Sequence, residues 1–235
     1  AEGGVLELGA GTGKFTRPLL EVLSARAAAV GGRPNLVVVE PTSMGEALEA
    51  ELAGRGVRLV RTTADTLGAV AAGSMDVVIA AQAFHWFADA GSISEIVRVL
   101  RPGGSLALCW NIRERRGGGA AAALESLIDS YYDAATPRQH SRAWQVPLRA
   151  TAALSELVCE ERPHAPHLTT AADLVAWVTS LSVIARLPPD DKAGVAARVA
   201  ALLDSEATPV GATPDGTPLY AIPMYTDYFW ASKRA

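Results

Sequence analysis

The segment from Glu7 to Gly13 constrains the fold more than any other part of the chain, because it places three glycines directly after a short apolar run. Its sequence is Glu-Leu-Gly-Ala-Gly-Thr-Gly. Glycines at such a turn adopt backbone angles that other residues rarely reach, and they let a ligand approach the main chain closely. A helix predicted to start at Lys14 presents unpaired amides and a partial positive charge to an anionic group. The segment therefore predicts a strand, a tight turn and a helix that hold a cofactor.

An acidic residue at the end of the second predicted strand indicates that this cofactor contains a ribose. Glu40 follows four apolar residues. A carboxylate at this point of an open α/β sheet can accept hydrogen bonds from both hydroxyls of a ribose. A purely structural explanation stays open, in which the glycines only make a tight turn and Glu40 is a solvated strand end. The combination of the turn with the following acid favours the binding site.

The spacing of the glycines also separates two classes of cofactor. Dinucleotide-binding turns follow the pattern G-x-G-x-x-G, which requires glycine where this chain has Lys14. Glu7, two residues before the first glycine, is expected to lie beneath the turn. There its carboxylate can fix the loop amides and, through water, the ammonium group of a methionine-like moiety. The turn therefore disfavours a dinucleotide.

The first half of the chain alternates apolar, β-branched runs with patterns of helical spacing, which is typical of βαβ units that build a parallel sheet. The predicted strands cover residues 5–8, 36–40, 57–61, 76–81 and 105–111. The predicted helices cover residues 14–29, 43–53, 66–72 and 92–100. The nearly continuous apolar run at 77–81 fits a sheet that is covered on both faces.

The pattern changes after residue 111. Arg113, Arg115 and Arg116 stand beside glycines and predict a solvated, mobile loop, and a helix through Leu124 and Leu127 follows. Later helices are predicted over 151–157, 171–181 and 189–205, strands over 159–167 and 224–230, and a loop over 207–218. We expect a single domain over 1–235, with insertions at 112–150 and 168–218 that cover the substrate.

Composition excludes several classes of protein. The formal net charge of -4 gives no overall attraction for nucleic acid or an anionic membrane. Cys109 and Cys159 lie far apart beside apolar residues and predict reduced thiols. No apolar stretch reaches the length of a membrane span and no targeting segment is recognised, so we expect a cytoplasmic protein. His164 and His167 have no further ligands at metal-binding spacing, so no metal is expected. The sequence leaves the oligomeric state open.

These motifs resemble the class I S-adenosylmethionine-dependent methyltransferases, and within them the small-molecule group called methyltransferase type 11. The resemblance implies a Rossmann-like, three-layer α/β sandwich with inserted lid helices. It also implies a seven-stranded, mostly parallel sheet of order 3-2-1-4-5-7-6, in which strand seven is antiparallel. The similar segments are Glu7 to Gly13, Val38-Val39-Glu40-Pro41, Met75-Asp76-Val77-Val78, Ala81 to Phe87, Leu100-Arg101-Pro102-Gly103-Gly104, Trp110-Asn111 and Tyr225-Thr226-Asp227.

The resemblance implies S-adenosylmethionine as cofactor and S-adenosylhomocysteine as its product. The glycines would approach the methionine part and Glu40 the ribose, whereas Met44 either packs on the adenine or belongs to the core. The cofactor-binding residues that we expect are Glu7, Gly9, Ala10, Gly11, Gly13, Glu40, Pro41, Met44, Thr63, Ala64, Asp65 and Gln82.

Two features depart from the family pattern. Many members have an aspartate before the alanine of the third motif, where it binds the adenine amino group. Here Thr63 precedes Ala64 and Asp65 follows it, so adenine recognition is expected from the backbone of Ala64 or Asp65. Members also carry a few dozen residues before the first strand, which form helices over both ligands. This sequence starts close to its first strand, so we expect these cap helices to be absent.

The methyl acceptor is expected beside the residues that follow the fourth and fifth strands, namely Phe84, His85, Trp86, Trp110 and Asn111. His85 is a candidate general base, because an imidazole there can take a proton from a hydroxyl or amine. It can equally pack within an aromatic contact. The aromatic residues either wall the acceptor pocket or join a helix to the sheet.

The sequence predicts a methyltransferase that acts on a small organic molecule through an oxygen, nitrogen or carbon atom. The signature of amide-methylating enzymes is Asn or Asp, Pro, Pro and an aromatic residue after the fourth strand. Here Gln82-Ala83-Phe84-His85 stands in that place. The alternative is a non-catalytic S-adenosylmethionine-binding module that acts through protein partners, and an NAD-dependent oxidoreductase is less favoured.

Overall fold

The computed structural model describes residues 3–42, 48–50, 52–116 and 118–235. Met44 and most of the predicted helix 43–53 lie outside these ranges, although residues 48–50 and Leu52 are helical. The strands are β1 (Gly4–Leu8), β2 (Leu36–Val39), β3 (Val57–Val60), β4 (Met75–Ala81), β5 (Leu100–Arg113), β6 (Val158–Thr169), β7 (Gly211–Ala212) and β8 (Pro218–Ser232). The helices are α1 (Thr16–Ala29), α2 (Ala90–Val99), α3 (Gly119–Asp129), α4 (Gln145–Ala150), α5 (Ala171–Ser180), α6 (Ser182–Ala185) and α7 (Pro189–Glu206).

The strand order confirms the predicted topology. The order is β3-β2-β1-β4-β5-β8-β6, and the short β7 pairs with β8 outside this path. Strand β8 therefore occupies the place predicted for strand seven. Gly103 donates its N–H to the carbonyl of Lys233, and Glu114 donates to that of Pro223. The residue later in β5 thus pairs with the residue earlier in β8, so these two strands are antiparallel. The sheet has eight strands rather than the seven expected.

The chain divides into two compact units, and strands β5, β6 and β8 contribute residues to both. The first unit comprises Ala1–Trp110, Pro137–Glu160 and Asp227–Ala235, and it contains strands β1 to β4. One of its hydrophobic clusters joins α1 to β2 and the helical residues after 47. The buried members of that cluster are Leu20, Leu36, Val38, Leu48 and Leu52.

The second unit comprises Asn111–Thr136 and Glu161–Thr226. Its core lies between helices α3, α5 and α7 and the first residues of β8. The most deeply buried members are Leu124, Val178, Ile184, Val195, Val199 and Leu203. This unit overlaps both segments predicted as insertions but has its own core.

The helix predicted over 66–72 is wrong, because residues 66–72 form turns and irregular structure. Arg98 on α2 donates hydrogen bonds to the carbonyls of Leu67 and Val70, and Glu95 accepts one from the Leu67 N–H. These side chains take the place of intrahelical partners for the loop. Long-range hydrogen bonds have overridden a weak local helix pattern.

The helix predicted over 151–157 is also wrong. The nearest helix, α4, ends at Ala150, and Thr151 already has an extended backbone with ψ of 128°. Leu154 forms a bridge with Lys233, and Ser155 donates its N–H to the carbonyl of Ser232. Residues of the predicted helix therefore pair with the end of β8.

Other predicted elements are present with shifted ends. The helix predicted over 171–181 corresponds to α5, which ends at Ser180 because the backbone of Leu181 is extended with ψ of 134°, and the short α6 follows. The loop predicted over 207–218 contains β7. Residues 100–104, which precede the predicted strand 105–111, already belong to β5, and the pairing with β4 steps there from Leu100 to Ser105. The described chain has no helix of the length and apolar character that a membrane crossing requires.

Candidate cofactor site

The glycine turn lies between β1 and α1, and each of its three glycines has a positive φ. The φ values are 72° at Gly9, 55° at Gly11 and 78° at Gly13, a region that side chains disfavour. A Cβ at Gly9 would lie 2.7 Å from the Cβ of Ala83, and one at Gly13 would lie 2.4 Å from Cδ1 of Leu48. Nothing lies within 4 Å of a Cβ at Gly11. Gly9 and Gly13 thus permit close packing, whereas Gly11 borders open space.

A cavity of about 590 Å³ lies over this turn and the carboxyl ends of β1, β2 and β4. This volume is in the range of small-ligand sites. Ten of the residues predicted for the site line it: Glu7, Gly9, Ala10, Gly11, Glu40, Pro41, Thr63, Ala64, Gln82 and Trp86. The lining residues that were not predicted for the cofactor site are Leu8, Thr12, Lys14, Phe15, Val39, Thr42, Thr62, Ala81, Ala83 and Phe87.

Six other predicted residues do not line this cavity: Gly13, Asp65, Phe84, His85, Trp110 and Asn111. Most of the unpredicted lining residues are sequence neighbours of predicted ones. Their position next to the glycines or Glu40 was the signal that could have found them. Among the described residues, no group of His, Cys, Asp or Glu is arranged to hold a metal ion.

Glu40 is only 3% exposed, and both of its carboxylate oxygens accept hydrogen bonds. The Gly11 N–H donates to Oε2 at 2.7 Å. The Thr42 N–H and hydroxyl donate to Oε1 at 3.0 and 2.6 Å. A carboxylate has about four acceptor positions, so these three bonds leave room for a further donor. Glu40 therefore ties the turn to β2 and still presents acceptor capacity to the cavity.

Glu7 is a second acid in the cavity wall and is 1% exposed. Its Oε2 is buried and has no hydrogen-bond partner among the described residues. Burial raises the pKa of Glu7 to about 7, and the charge of Glu40 adds to this, while the Thr16 hydroxyl opposes it. A buried carboxyl with an unused oxygen is suited to a cationic or hydrogen-bond-donating ligand group.

Gln82 has a strained backbone at the edge of the cavity. It directly follows β4, its φ is 61°, and its N–H donates to the carbonyl of Cys109 at 2.9 Å. A residue other than glycine in this region costs about 1 kcal/mol or more, and such strain is concentrated at functional sites. The pairing with β5 holds Gln82 in this conformation against the cavity.

Asp65 lies outside the cavity lining although its neighbours Thr63 and Ala64 contribute to it. The side chain of Asp65 is exposed and accepts a hydrogen bond from the Thr63 hydroxyl. That bond, together with backbone and Thr66 contacts, lowers the pKa of Asp65. In this position the carboxylate shapes the loop and does not face the cavity.

The aromatic residues predicted for the acceptor pocket divide into an exposed part and a buried part. Trp86 is 58% exposed and lines the cavity. Phe84 and Trp110 are at most 1% exposed and pack with Trp144 and Phe229, with ring centroids 4.7 to 6.1 Å apart. For Phe84 and Trp110, core packing replaces the predicted pocket wall.

His85 contacts this cluster through its ring nitrogen Nδ1. The indole N–H of Trp110 donates to Nδ1 of His85 at 3.2 Å. Because an indole nitrogen only donates, Nδ1 must carry the lone pair and Nε2 the proton. Burial, with the charges of Arg138 and His140, lowers the pKa of His85 to about 4. Of the two roles expected for His85, this geometry favours packing within the aromatic contact.

We predict that His85 stays neutral, with its proton on Nε2, between pH 5 and 8. Nitrogen NMR of the imidazole rings measures both the titration and the tautomer. In Trp110→Phe the donor to Nδ1 is lost, and the pKa of His85 is expected to rise. A wild-type His85 that titrates near its ordinary value, or that carries its proton on Nδ1, contradicts this assignment.

Asn111 belongs to the second unit, where its Oδ1 accepts a hydrogen bond from the Thr226 hydroxyl at 2.8 Å.

The arginines predicted to form a mobile loop after Asn111 are paired with carboxylates. Arg113 and Arg115 both contact Glu125, which is 7% exposed, and Arg115 also contacts Asp129. The prediction of a solvated loop at these two residues is wrong, because charge pairing orders them.

Comparisons with known proteins agree with this architecture. Residues 6–108 match the model of the type 11 family, which is described as a methyltransferase domain. An uncharacterized methyltransferase of Mycobacterium bovis is 43% identical over 115 residues, which cover 48% of this chain and 42% of that protein. An uncharacterized methyltransferase-like protein of Schizosaccharomyces pombe is 37% identical over 110 residues, 47% of this chain and 39% of that protein. The matched segment thus spans less than half the length of these relatives.

Two solved structures show the same fold. A structure from Anaeromyxobacter dehalogenans, described as a type II methyltransferase, matches with a TM-score of 0.65 and 21% identity. The match covers 100% of this chain and 90% of the other. The YcgJ protein of Bacillus subtilis has a TM-score of 0.59 and 17% identity, with coverage of 100% and 93%.

The strand order and the glycine turn between β1 and α1 define a Rossmann-like α/β fold. The matched family model adds a sequence similarity to this fold. Over residues 6–108, which make up less than half of the chain, the sequence is therefore similar to methyltransferase domains of the type 11 family.

Proposed function

We propose that this chain binds S-adenosylmethionine in the cavity over the glycine turn and methylates a small organic molecule. The observation that carries the proposal is the cavity itself, which brings Gly11, Glu40 and the unpartnered carboxyl of Glu7 to one surface. The residues fit the cofactor, since Gly11 leaves open space where a side chain would intrude. When bound, S-adenosylmethionine supplies a methyl group activated by a sulfonium.

The residues of the site have separable roles in this proposal. Gly11, which borders open space, lets the backbone approach the methionine part. Glu40, with its remaining acceptor capacity, binds the ribose hydroxyls. Glu7 holds the ammonium group, directly or through water, because its buried Oε2 lacks a partner. Thr63 and Ala64 lie where the adenine is expected.

Charge disfavours nucleic acid as the methyl acceptor, which supports a small molecule. The formal net charge is -4, and Arg113 and Arg115 are neutralised by Glu125 and Asp129. A polyanion such as nucleic acid needs free cationic side chains at its binding surface. With His85 neutral and its lone pair engaged, positioning and exclusion of water supply the catalysis. Trp86 at the cavity provides an apolar surface for the acceptor.

The proposal is tested by calorimetry with S-adenosylmethionine and S-adenosylhomocysteine. Glu40→Gln is expected to weaken both more than tenfold, because the new amide group faces the donors of Gly11 and Thr42 and loses the charge that binds ribose. Glu21→Gln, the same change at an exposed position on α1, is the control and should stay within twofold.

The outcomes separate the alternative functions. Undiminished binding in Glu40→Gln would remove Glu40 from the ribose site. Binding of the cofactor without methylation of any compound in a broad metabolite panel would favour a non-catalytic module that acts through protein partners. Preference for NAD over the sulfonium would favour an oxidoreductase.

A further inference from the structure

The charges that line the cavity are unevenly distributed. Two carboxyls, Glu7 and Glu40, contribute to its wall. Within the described part of the chain, Lys14 is the only lysine or arginine that does so. A ligand with both an ammonium and a carboxylate group therefore meets acids for the first group and a single lysine for the second.

Lys14 stands at the end of α1 that attracts anions. The helix starts two residues later at Thr16 and is 14 residues long. Its first turn contains no acidic residue, and no side chain caps its N-terminus. The partial positive charge of a helix N-terminus adds to that of a nearby lysine. Unlike Glu7, Lys14 is exposed, so its side chain can reorient toward a ligand.

We propose that Lys14 binds the carboxylate of the amino-acid part of S-adenosylmethionine, in the cavity whose wall also contains Glu7. This inference rests on the proposed cofactor. A zwitterion placed against two acids needs a compensating cation, because an uncompensated carboxylate is repelled by them. Lys14 supplies that charge at a position where dinucleotide-binding turns have glycine.

The proposal predicts a loss that depends on the ligand's carboxylate. Lys14→Met keeps most of the side-chain length and removes its charge. It is expected to weaken S-adenosylmethionine about fivefold, in line with an exposed, helix-assisted ion pair. Decarboxylated S-adenosylmethionine keeps the sulfonium, the ammonium and the nucleoside. Its affinity should change less than twofold.

Calorimetry with both ligands on the full chain measures this difference. Lys14→Arg should retain the affinity for S-adenosylmethionine within about twofold. Arg26→Met, in the last turn of the same helix, is the matched control and should leave both ligands unaffected. Higher salt should reduce the difference between wild type and Lys14→Met, because the pair is exposed to solvent.

Three results would overturn the inference. An equal loss for both ligands would show that Lys14 acts on the shape of the turn. An unchanged affinity for S-adenosylmethionine in Lys14→Met would remove Lys14 from the site, while the proposed function would stand. A wild-type protein that fails to bind S-adenosylmethionine would reject the proposed function, and the role of Lys14 with it.

Discussion

Asp227→Asn is expected to lower the free energy of unfolding by about 3 kcal/mol, the largest stability effect we predict for a single polar side chain. Asp227 is completely buried in the first unit. Its Oδ2 accepts hydrogen bonds from Arg142 at 2.7 Å and from Gln139 at 2.9 Å. Removing the negative charge leaves the arginine without its counter-ion.

Arg142 makes this pair costly to break. Its φ of 58° places it in the left-handed region, and its guanidinium lies 4.8 Å from the ring centroid of Phe229. Its Nη1 is buried and has no partner among the described residues. The pair with Asp227 therefore supports a strained residue beside the aromatic cluster. The side chain of Arg142 is 35% exposed to solvent. The expected loss of unfolding free energy is therefore at the low end of the range for buried ion pairs.

Urea unfolding of wild type and variants measures this effect. Glu49→Gln breaks the exposed pair with Arg61 and serves as the control, with an expected loss below about 1 kcal/mol. The double change Arg142→Met with Asp227→Leu removes both charges and should recover most of the stability lost in Asp227→Asn. If Asp227→Asn costs no more than the control, the buried pair does not stabilise this unit.

The parts of the site that sequence reasoning located are those determined by local chemistry. Three glycines with positive φ can be placed from their spacing, and Glu40 from the end of its strand. The order of the strands followed from the resemblance to a family. Lys14 was noted only as the residue that breaks a dinucleotide pattern, although it lines the cavity. Its neighbouring position in the turn was sufficient to suggest this.

Side-chain direction after the strands could not be predicted in the same way. His85 follows β4, and Trp110 lies near the end of β5. Both were therefore expected at the reaction side. In the structure, Trp110 packs against Trp144 in the core, and its hydrogen bond holds His85 half-buried beside it. Trp144 comes from a segment 34 residues after Trp110, and no local pattern indicates that contact.

The same limit explains the two wrong helices. The segment at 66–72 has apolar spacing that suits a helix, but Arg98 and Glu95 hold it as a loop. Residues 154 and 155 pair with the end of β8, about 80 positions away. Such partners become visible only when the chain is folded, and they outweigh local propensity.

Glu7→Gln is expected to affect the free protein and the complex in opposite directions. In the free protein, burial raises the pKa of Glu7 to about 7 from an ordinary value of 4.5. A carboxyl whose pKa is raised by folding stabilises the protein fully below the unfolded value. That stability is lost as the pH rises from about 4.5 to about 7. The loss amounts to about 3 kcal/mol at pH 8.

Glutamine carries no charge, so Glu7→Gln escapes this loss. Its free energy of unfolding should exceed that of wild type at pH 8, and the difference should shrink toward pH 5. Urea unfolding at both pH values measures it, with Glu21→Gln as the control on the exposed face of α1. A difference that does not vary with pH would show that Glu7 has an ordinary pKa.

Binding should show the reverse, because the ammonium of the ligand needs the ionised carboxylate. We expect S-adenosylmethionine to bind Glu7→Gln more than tenfold more weakly at pH 8, the loss typical of a charge-assisted hydrogen bond. Wild-type affinity should rise from pH 6 to 8, with release of a proton that calorimetry in buffers of different ionisation enthalpy can count. The variant should show neither effect. Replacing a carboxyl with a purely structural role would lower both the stability of the protein and its affinity for the ligand. Higher stability together with weaker binding in Glu7→Gln therefore assigns Glu7 to the ligand.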